Sequence, residues 1–179
     1  DHRDLHRLIR RQRQMCIRDR NYTALSRELG IHKTVIMRHV SYLRYGGMVN
    51  VVRNYRASMR GASRKLPRVY PSAPVFSLAY GASDEGKLLE SFVGMALDAR
   101  YYWREGRREV DFLIGKEKIP VEVKNKKPKL RETELFHYIR KFKAKRALVV
   151  FRGREYEKRS VDGFEIEFLP HIKLAFEFK

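Results

Sequence analysis

Apolar side chains in the first third of the chain recur three or four residues apart, in two short runs that each end at glycine. The spacing predicts helices at about 22–29 and 33–45, joined by a tight turn near Gly30, with a strand at about 48–52. Six apolar side chains are expected to pack between these helices: Leu25, Leu29, Ile31, Ile36, Val40 and Leu43. The pattern is that of a helix-turn-helix with a wing, at residues 21–75.

A separate N-terminal segment precedes this unit. Leu5, Leu8 and Ile9 fall on one face of a predicted helix at 3–15. Residues 14–20 fit poorly with their flanks and are interpreted as a linker or a sequence artefact. Residues 1–20 are therefore set apart as an N-terminal helix and linker.

From residue 76 to 179, helical and strand spacing alternate, which predicts an α/β unit with a central mixed sheet flanked by helices. Ser83 is expected to cap a helix that runs to about Ala99, with Asp84 and Glu85 in its first turn. A further helix is expected at about 132–142, and the tail at 173–179 fits either a helix or a strand. The predicted strands are 101–104, 109–114, 119–124, 146–151 and 164–169.

The charge changes the functional picture, because 40 Lys and Arg stand against 21 Asp and Glu, a net charge of +19. Part of this charge is clustered in a predicted basic loop at 53–74 that contains no acidic residue: Arg53, Arg56, Arg60, Arg64, Lys65 and Arg68. Such clustering favours a nucleic-acid partner. The alternative is a general adaptation for solubility.

A single cysteine, Cys16, excludes a disulfide framework or a cysteine zinc site within one chain. No apolar run approaches the roughly 20 residues that span a bilayer, and no signal peptide is evident. We therefore expect a cytoplasmic protein without a membrane partner.

Two predicted strands carry the candidate chemistry. Glu122 and Lys124 are two residues apart on a strand and so share one face, whereas Val121 and Val123 point to the core. If this strand forms a hairpin with the preceding one, Asp111 comes alongside Glu122 and Lys124. A single Glu-x-Lys on a strand is most often a solvated face, so the indication depends on the combination.

Two carboxylates beside an ammonium suit phosphodiester hydrolysis. Mg²⁺ prefers oxygen ligands and keeps several waters, so one or two carboxylates suffice to hold it. The lysine can orient or deprotonate the attacking water and offset negative charge on the phosphate. Glu90, on the preceding helix, is a candidate third carboxylate. The alternative is that Glu90 is a fold-stabilising partner for one of the many arginines.

The order Glu90, Asp111, Glu122-Val123-Lys124 resembles the PD-(D/E)XK nuclease fold, which is restriction-endonuclease-like. More narrowly, "LLESFV", "YYWREGRREVDFLI" and "VEVKNK" resemble the C-terminal region of archaeal and bacterial AAA-type ATPases. "NYTALSRELGIHKTVIMRHVSYLRYGGMV" and "PRVYPSAPVFSLAYG" resemble the winged helix that links the two parts in that family. The resemblance covers about residues 21–170.

The resemblance implies that Asp111 and Glu122 bind Mg²⁺ or Mn²⁺, that Lys124 serves the water and the scissile phosphate, and that Glu90 assists the metal site. It also implies DNA and an ATPase domain, upstream in the same chain or separate, as partners. No G-x-x-x-x-G-K-[ST] loop is present, so this chain has no ATP site of that kind. Because many members of the superfamily have lost catalysis, a non-catalytic regulatory or docking module is the alternative.

The second helix of a helix-turn-helix presents its first residues to the major groove. Four of its outward-facing residues are predicted to bind DNA: Lys33, Thr34, Arg38 and Ser41. Arg38 suits guanine and Lys33 a phosphate. The loop residues Arg56, Arg60, Arg64 and Lys65 are predicted to contact phosphates. A winged helix used only for protein contacts, or a transcription regulator, remains open, as does the oligomeric state.

Overall fold

The computed structural model describes residues 22–55, 67–79, 84–129 and 134–177, which form a mixed α/β fold around one eight-stranded sheet. The helices are α1 (Tyr22–Leu29), α2 (Lys33–Tyr45), α3 (Pro74–Ala79), α4 (Glu85–Ala96), α5 (Leu135–Phe142) and α6 (His171–Glu177). The strands are β1 (Val49–Asn54), β2 (Arg68–Pro71), β3 (Tyr101–Glu105), β4 (Arg108–Ile114), β5 (Ile119–Lys124), β6 (Arg146–Phe151), β7 (Glu157–Val161) and β8 (Phe164–Pro170). The predicted helix at 3–15 lies outside the described residues.

The sheet is mixed, with strand order β2-β1-β3-β4-β5-β6-β8-β7. Strands β5, β6 and β8 run parallel, whereas β4 pairs with both β3 and β5 in antiparallel fashion. Strands β1 and β2 form an antiparallel pair, and the end of β1 pairs in parallel with β3, Arg53 opposite Tyr101. The sheet therefore continues across residue 75, where the sequence suggested a boundary between two units.

Apolar side chains cover both faces of the sheet. On one face, α4 contributes Leu89 and Val93 to a cluster with Phe112 and Val121. On the other face, α5 packs its own apolar side chains against β4, β6 and β8. Strand β6 is buried along almost its whole length, which explains its continuous apolar run.

The packing of α1 and α2 differs from the prediction. Ile36 and Val40 are buried, but Leu29, Ile31 and Leu43 are 54%, 43% and 40% exposed. The prediction that these three pack between the helices is wrong. The reason is that the β1–β2 pair packs against α2 through Val69, Val49 and Val51. This pair covers only the side of α2 that carries Ile36 and Val40.

Helix α4 begins one residue later than predicted. Asp84 is its N-cap, and the Asp84 side chain accepts a hydrogen bond from the Lys87 backbone at 3.1 Å. Ser83, the predicted cap, lies outside the described residues. The helix ends at Ala96 rather than near Ala99, because Asp98 takes a left-handed conformation with φ of 43°.

Three elements were not assigned from the sequence. Helix α3 and strand β7 were missed, and the tail, which fitted either structure, is helical over 171–177. Across the described part of the chain, no helix combines the length and the apolar character needed to traverse a membrane.

Candidate functional site

Asp111 lies where the pairing of β4 with β5 stops. The last paired residues are Phe112 and Val121. Beyond them, Asp111 Oδ2 accepts a hydrogen bond from the Val123 backbone at 2.9 Å, in place of a strand partner. A register shift against β3 gives β4 one extra residue between Val110 and Leu113, which is a bulge. Bulges redirect side chains, and this one turns the Asp111 carboxylate toward the end of β5.

Glu122 and Lys124 form an ion pair on the neighbouring strand, with 2.7 Å between Glu122 Oε1 and Lys124 Nζ. The Glu122 side chain is 5% exposed, whereas that of Lys124 is 41% exposed. Burial raises the pKa of Glu122, the Lys124 ammonium opposes that rise, and the negative charge of Asp111 adds to it. Glu122 Oε2 is buried and accepts no hydrogen bond from the described residues.

A cleft of about 340 Å³ opens beside these residues, between the start of α4 and the carboxyl end of β5. Its lining residues are Asp84, Gly86, Lys87, Glu90, Asp111, Val123, Lys124 and Asn125. Glu122 is not among them and meets the cleft through Lys124. The cleft thus lies at the carboxyl end of β5, a strand that pairs in parallel with β6, and carboxyl ends of parallel strands are a usual place for ligands.

Gly86 allows the close approach of α4 to the end of β5. A Cβ at this position would lie 3.3 Å from Asp84 Oδ1 and 3.4 Å from Asn125 Nδ2. Both contacts are close to the van der Waals limit, so little space is left between α4 and Asn125, which also lines the cleft. Asn125 therefore belongs to the site, although its side chain carried no signal that the sequence reasoning used.

Glu90 lies on the opposite wall of the cleft and is 3% exposed. It accepts a hydrogen bond from Tyr70 Oη at 2.7 Å, and its Oε1 lies 3.9 Å from Arg68 Nη1. Burial raises the pKa of Tyr70 well above its ordinary value, and the negative charge of Glu90 adds to the effect. Glu90 is therefore held to β2 by Tyr70 and Arg68, which agrees with the alternative that Glu90 is a fold-stabilising partner for an arginine.

Arg68 was counted in the basic cluster that favours a nucleic-acid partner, but the structure buries it. Its side chain is 2% exposed, forms an ion pair with Glu109 and lies over the Tyr102 ring at 4.0 Å. Burial in strand β2 removes it from any polyanion. The alternation of Arg68 and Tyr70 in "RVY" places both side chains on one face, which is the only sequence signal for this contact.

The predicted DNA-binding residues divide into two groups. Lys33, Thr34, Arg38 and Ser41 are all exposed on α2, as expected for outward-facing positions. Thr34 Oγ1 is 2.8 Å from His32 Nδ1, and Ser41 donates to the Met37 carbonyl at 2.9 Å, so both hydroxyls already have partners within the helical part. Lys33 and Arg38 are the two positively charged members of the group. The loop residues Arg56, Arg60, Arg64 and Lys65 lie outside the described residues.

Comparison with known protein families, with curated proteins and with solved structures found no match. The interpretation of the site therefore depends on its own geometry and chemistry.

The site offers a divalent cation a pair of carboxylates rather than a larger set of protein ligands. Among the residues that the structure describes, no three His, Cys, Asp or Glu side chains are grouped so that together they could bind a metal ion. Asp111 and Glu122 are two carboxylates whose charges act on each other, and Glu122 Oε2 has no hydrogen-bond partner among the described residues. Two carboxylates suit Mg²⁺, which retains several waters. The third ligand role of Glu90 stays a prediction.

Proposed function

We propose that this chain is the DNA-associated module of an AAA-type ATPase and that its α/β part hydrolyses phosphodiester bonds with Mg²⁺ or Mn²⁺. In this proposal residues 76–179 form a PD-(D/E)XK nuclease-like unit, and residues 21–75 form a winged helix that binds DNA. One observation carries it: Asp111 accepts a hydrogen bond from the Val123 backbone, between the ion-paired Glu122 and Lys124, at the open end of the β4–β5 hairpin and beside a cleft.

The carboxylates Asp111 and Glu122 would hold the cation. Both are negatively charged groups close enough that the charge of Asp111 raises the pKa of Glu122, and a cation relieves such repulsion. The unbonded Glu122 Oε2 is the atom that most needs a positive partner. When bound, a divalent cation lowers the pKa of a water and neutralises charge on the phosphate.

Lys124 supplies the positive charge that the protein itself provides. Its ammonium pairs with Glu122 Oε1 at 2.7 Å, and its exposed end reaches the cleft. An ammonium here orients a water and offsets the charge that develops on the phosphate oxygens. Lys87 and Asn125 add hydrogen-bond donors to the lining of the cleft. The volume of the cleft is at the lower end of the range for small-ligand sites.

The helical part supports DNA binding through charge and exposure. Lys33 and Arg38 are exposed on α2, and between Tyr22 and Met48 the only acidic residue is Glu28. Duplex DNA attracts such a face through its phosphates, and base contacts from α2 would add selectivity.

The experiment that tests the function is cleavage of plasmid and branched DNA with Mg²⁺ or Mn²⁺. Asp111→Asn keeps an acceptor for the Val123 backbone but weakens cation binding, so cleavage should fall to background. Asp98→Asn is the matched control, because Asp98 is exposed and pairs only locally with Arg100. Cleavage by Asp111→Asn at the wild-type rate would contradict the assignment.

A second candidate function is a non-catalytic docking module. It is favoured by large apolar side chains that α1, α2 and the turn after α2 leave exposed, including Tyr45 at 96% and Tyr42 at 64%. Exposed aromatic residues are typical of protein interfaces. Such a module would neither cut DNA nor bind Mn²⁺ through Asp111, which separates the two candidates.

A further inference from the structure

Arg68 crosses the sheet to reach the site. Its strand, β2, is separated from β4 by β1 and β3 in the sheet. The guanidinium lies over the Tyr102 ring of β3 at 4.0 Å, forms an ion pair with Glu109 and donates to the Asp111 carbonyl at 3.5 Å. The side chain therefore connects the β1–β2 pair to the bulge that carries Asp111.

Tyr70, two residues later on the same face of β2, reaches the other wall of the cleft. It donates to Glu90 at 2.7 Å, and its ring packs against Phe112 with 5.6 Å between ring centres. Arg68 itself approaches Glu90 at 3.9 Å. One short strand thus contacts both α4 and β4, the two elements whose separation sets the width of the cleft.

Asp111 depends on these contacts because of where it lies. It is beyond the last backbone pair with β5 and within the irregular stretch against β3. Its hydrogen bonds include one from the Val123 backbone to its carboxylate and one from Arg68 to its carbonyl. A planar guanidinium with several donors in fixed directions suits such a bridging position, and a lysine does not.

We propose that Arg68 is a positioning residue that fixes Asp111 and Glu90 relative to each other across the cleft. This inference depends on the proposed nuclease function. Arg68 is buried and touches neither solvent nor substrate, so it acts through the main chain at Asp111 and the side chains of Glu109 and Glu90. DNA binding by exposed cations does not involve it.

The test compares Arg68→Lys with Arg146→Lys in steady-state cleavage and in urea unfolding. Arg146 also pairs with a glutamate, Glu167 at 2.8 Å, but it lies at the start of β6, whereas the cleft is at the carboxyl end of β5. For Arg68→Lys, kcat per folded molecule should fall about tenfold or more, because displacement of a reacting group by about 1 Å is that costly. KM for DNA should change by less than about twofold, since binding uses other residues. Arg146→Lys should keep both constants.

A second variant distinguishes a positioning role from a simple loss of folding. Arg68→Met combined with Glu109→Gln removes both charges of the buried pair, so unfolding should return toward the wild-type midpoint while kcat stays low. Wild-type kcat in folded Arg68→Lys, or a loss explained entirely by its unfolded fraction, would overturn the positioning role alone. A wild type that neither cleaves DNA nor binds Mn²⁺ would overturn the nuclease function, and this inference with it.

Discussion

Removal of one hydroxyl, in Tyr70→Phe, isolates the contact that holds Glu90 in the cleft wall. The phenylalanine ring keeps the packing against Phe112, so the change deletes only the hydrogen bond of 2.7 Å to the carboxylate. Hydrogen bonds to charged groups contribute roughly 1.5–3 kcal/mol to stability. The free energy of unfolding should fall by that amount, because Tyr70 is 1% exposed and no water replaces the donor without rearrangement.

The expected loss is large enough to measure by thermal unfolding. For a chain of 179 residues, each kcal/mol shifts Tm by roughly 2–4 °C, so Tyr70→Phe should lower Tm by about 3–12 °C. Tyr45→Phe is the matched control, since Tyr45 is 96% exposed, and it should leave Tm unchanged. Both are followed by far-ultraviolet circular dichroism.

A double-mutant cycle with Glu90→Met assigns the loss to this pair. In the Glu90→Met background the phenol has no carboxylate to bind, so Tyr70→Phe should cost almost nothing or even stabilise. The reasoning would be refuted if Tyr70→Phe cost the same with and without Glu90, or changed the free energy of unfolding by less than about 0.5 kcal/mol alone.

Three further predictions concern packing, pH and salt. In Gly94→Ala a new Cβ would lie 3.0 Å from Phe112 Cζ, so overpacking of about 1–3 kcal/mol should exceed the roughly 1 kcal/mol gained in helix propensity and lower the urea midpoint; an unchanged midpoint would contradict this. Burial raises the pKa of Tyr70, so the stability due to its neutral phenol is present below about pH 10 and is lost as pH rises through the folded pKa. Between about pH 9 and 11 the free energy of unfolding in urea should therefore fall less for Tyr70→Phe than for the wild type. Equal falls in the two proteins would contradict this prediction. Fluorescence anisotropy with duplex DNA should show that Lys33→Ala reduces the salt slope of binding by about 0.9. Arg38→Ala should instead weaken binding to a guanine-containing site by roughly 1–3 kcal/mol, and the distant Arg159→Ala should change neither quantity.

The β4–β5 hairpin was predictable because its signal is local. Alternating apolar residues from Ile119 to Lys124 gave the bounds of β5 without error, and Val121 and Val123 point to the core as expected. Glu122 and Lys124 share a face for the same reason, and their ion pair follows. The bulge at Asp111 could not be read from the sequence, since it depends on the register against β3.

Arg68 and Tyr70 were missed because their partners are distant in sequence. Arg68 bonds to Asp111 across 43 positions, and Tyr70 to Glu90 across 20. A buried arginine in a run of basic residues has the same local pattern as an exposed one, so only the fold distinguishes them. Glu90 was predicted to lie at the site and does line the cleft, but the origin of its position was not predictable.

The sequence pattern also did not predict strand β7 or the exposure of three apolar residues in the helical part. Strand β7 has little apolar alternation, because it is an edge strand held by its pairing with β8. Leu29, Ile31 and Leu43 have the spacing of a helical core, yet the β1–β2 pair covers a different stripe of α2. In both cases a neighbouring strand, rather than the local pattern, decides the outcome.

Titration with Mn²⁺ in a calorimeter is the most direct test of whether Asp111 and Glu122 form a metal site, because it needs no knowledge of the DNA substrate. We expect the wild type and Asp98→Asn each to bind one Mn²⁺. Asp111→Asn and Glu122→Gln should both lose that binding. Equal Mn²⁺ binding by the wild type and Asp111→Asn, or no binding by the wild type, would contradict the claim that Asp111 and Glu122 form a metal-dependent centre.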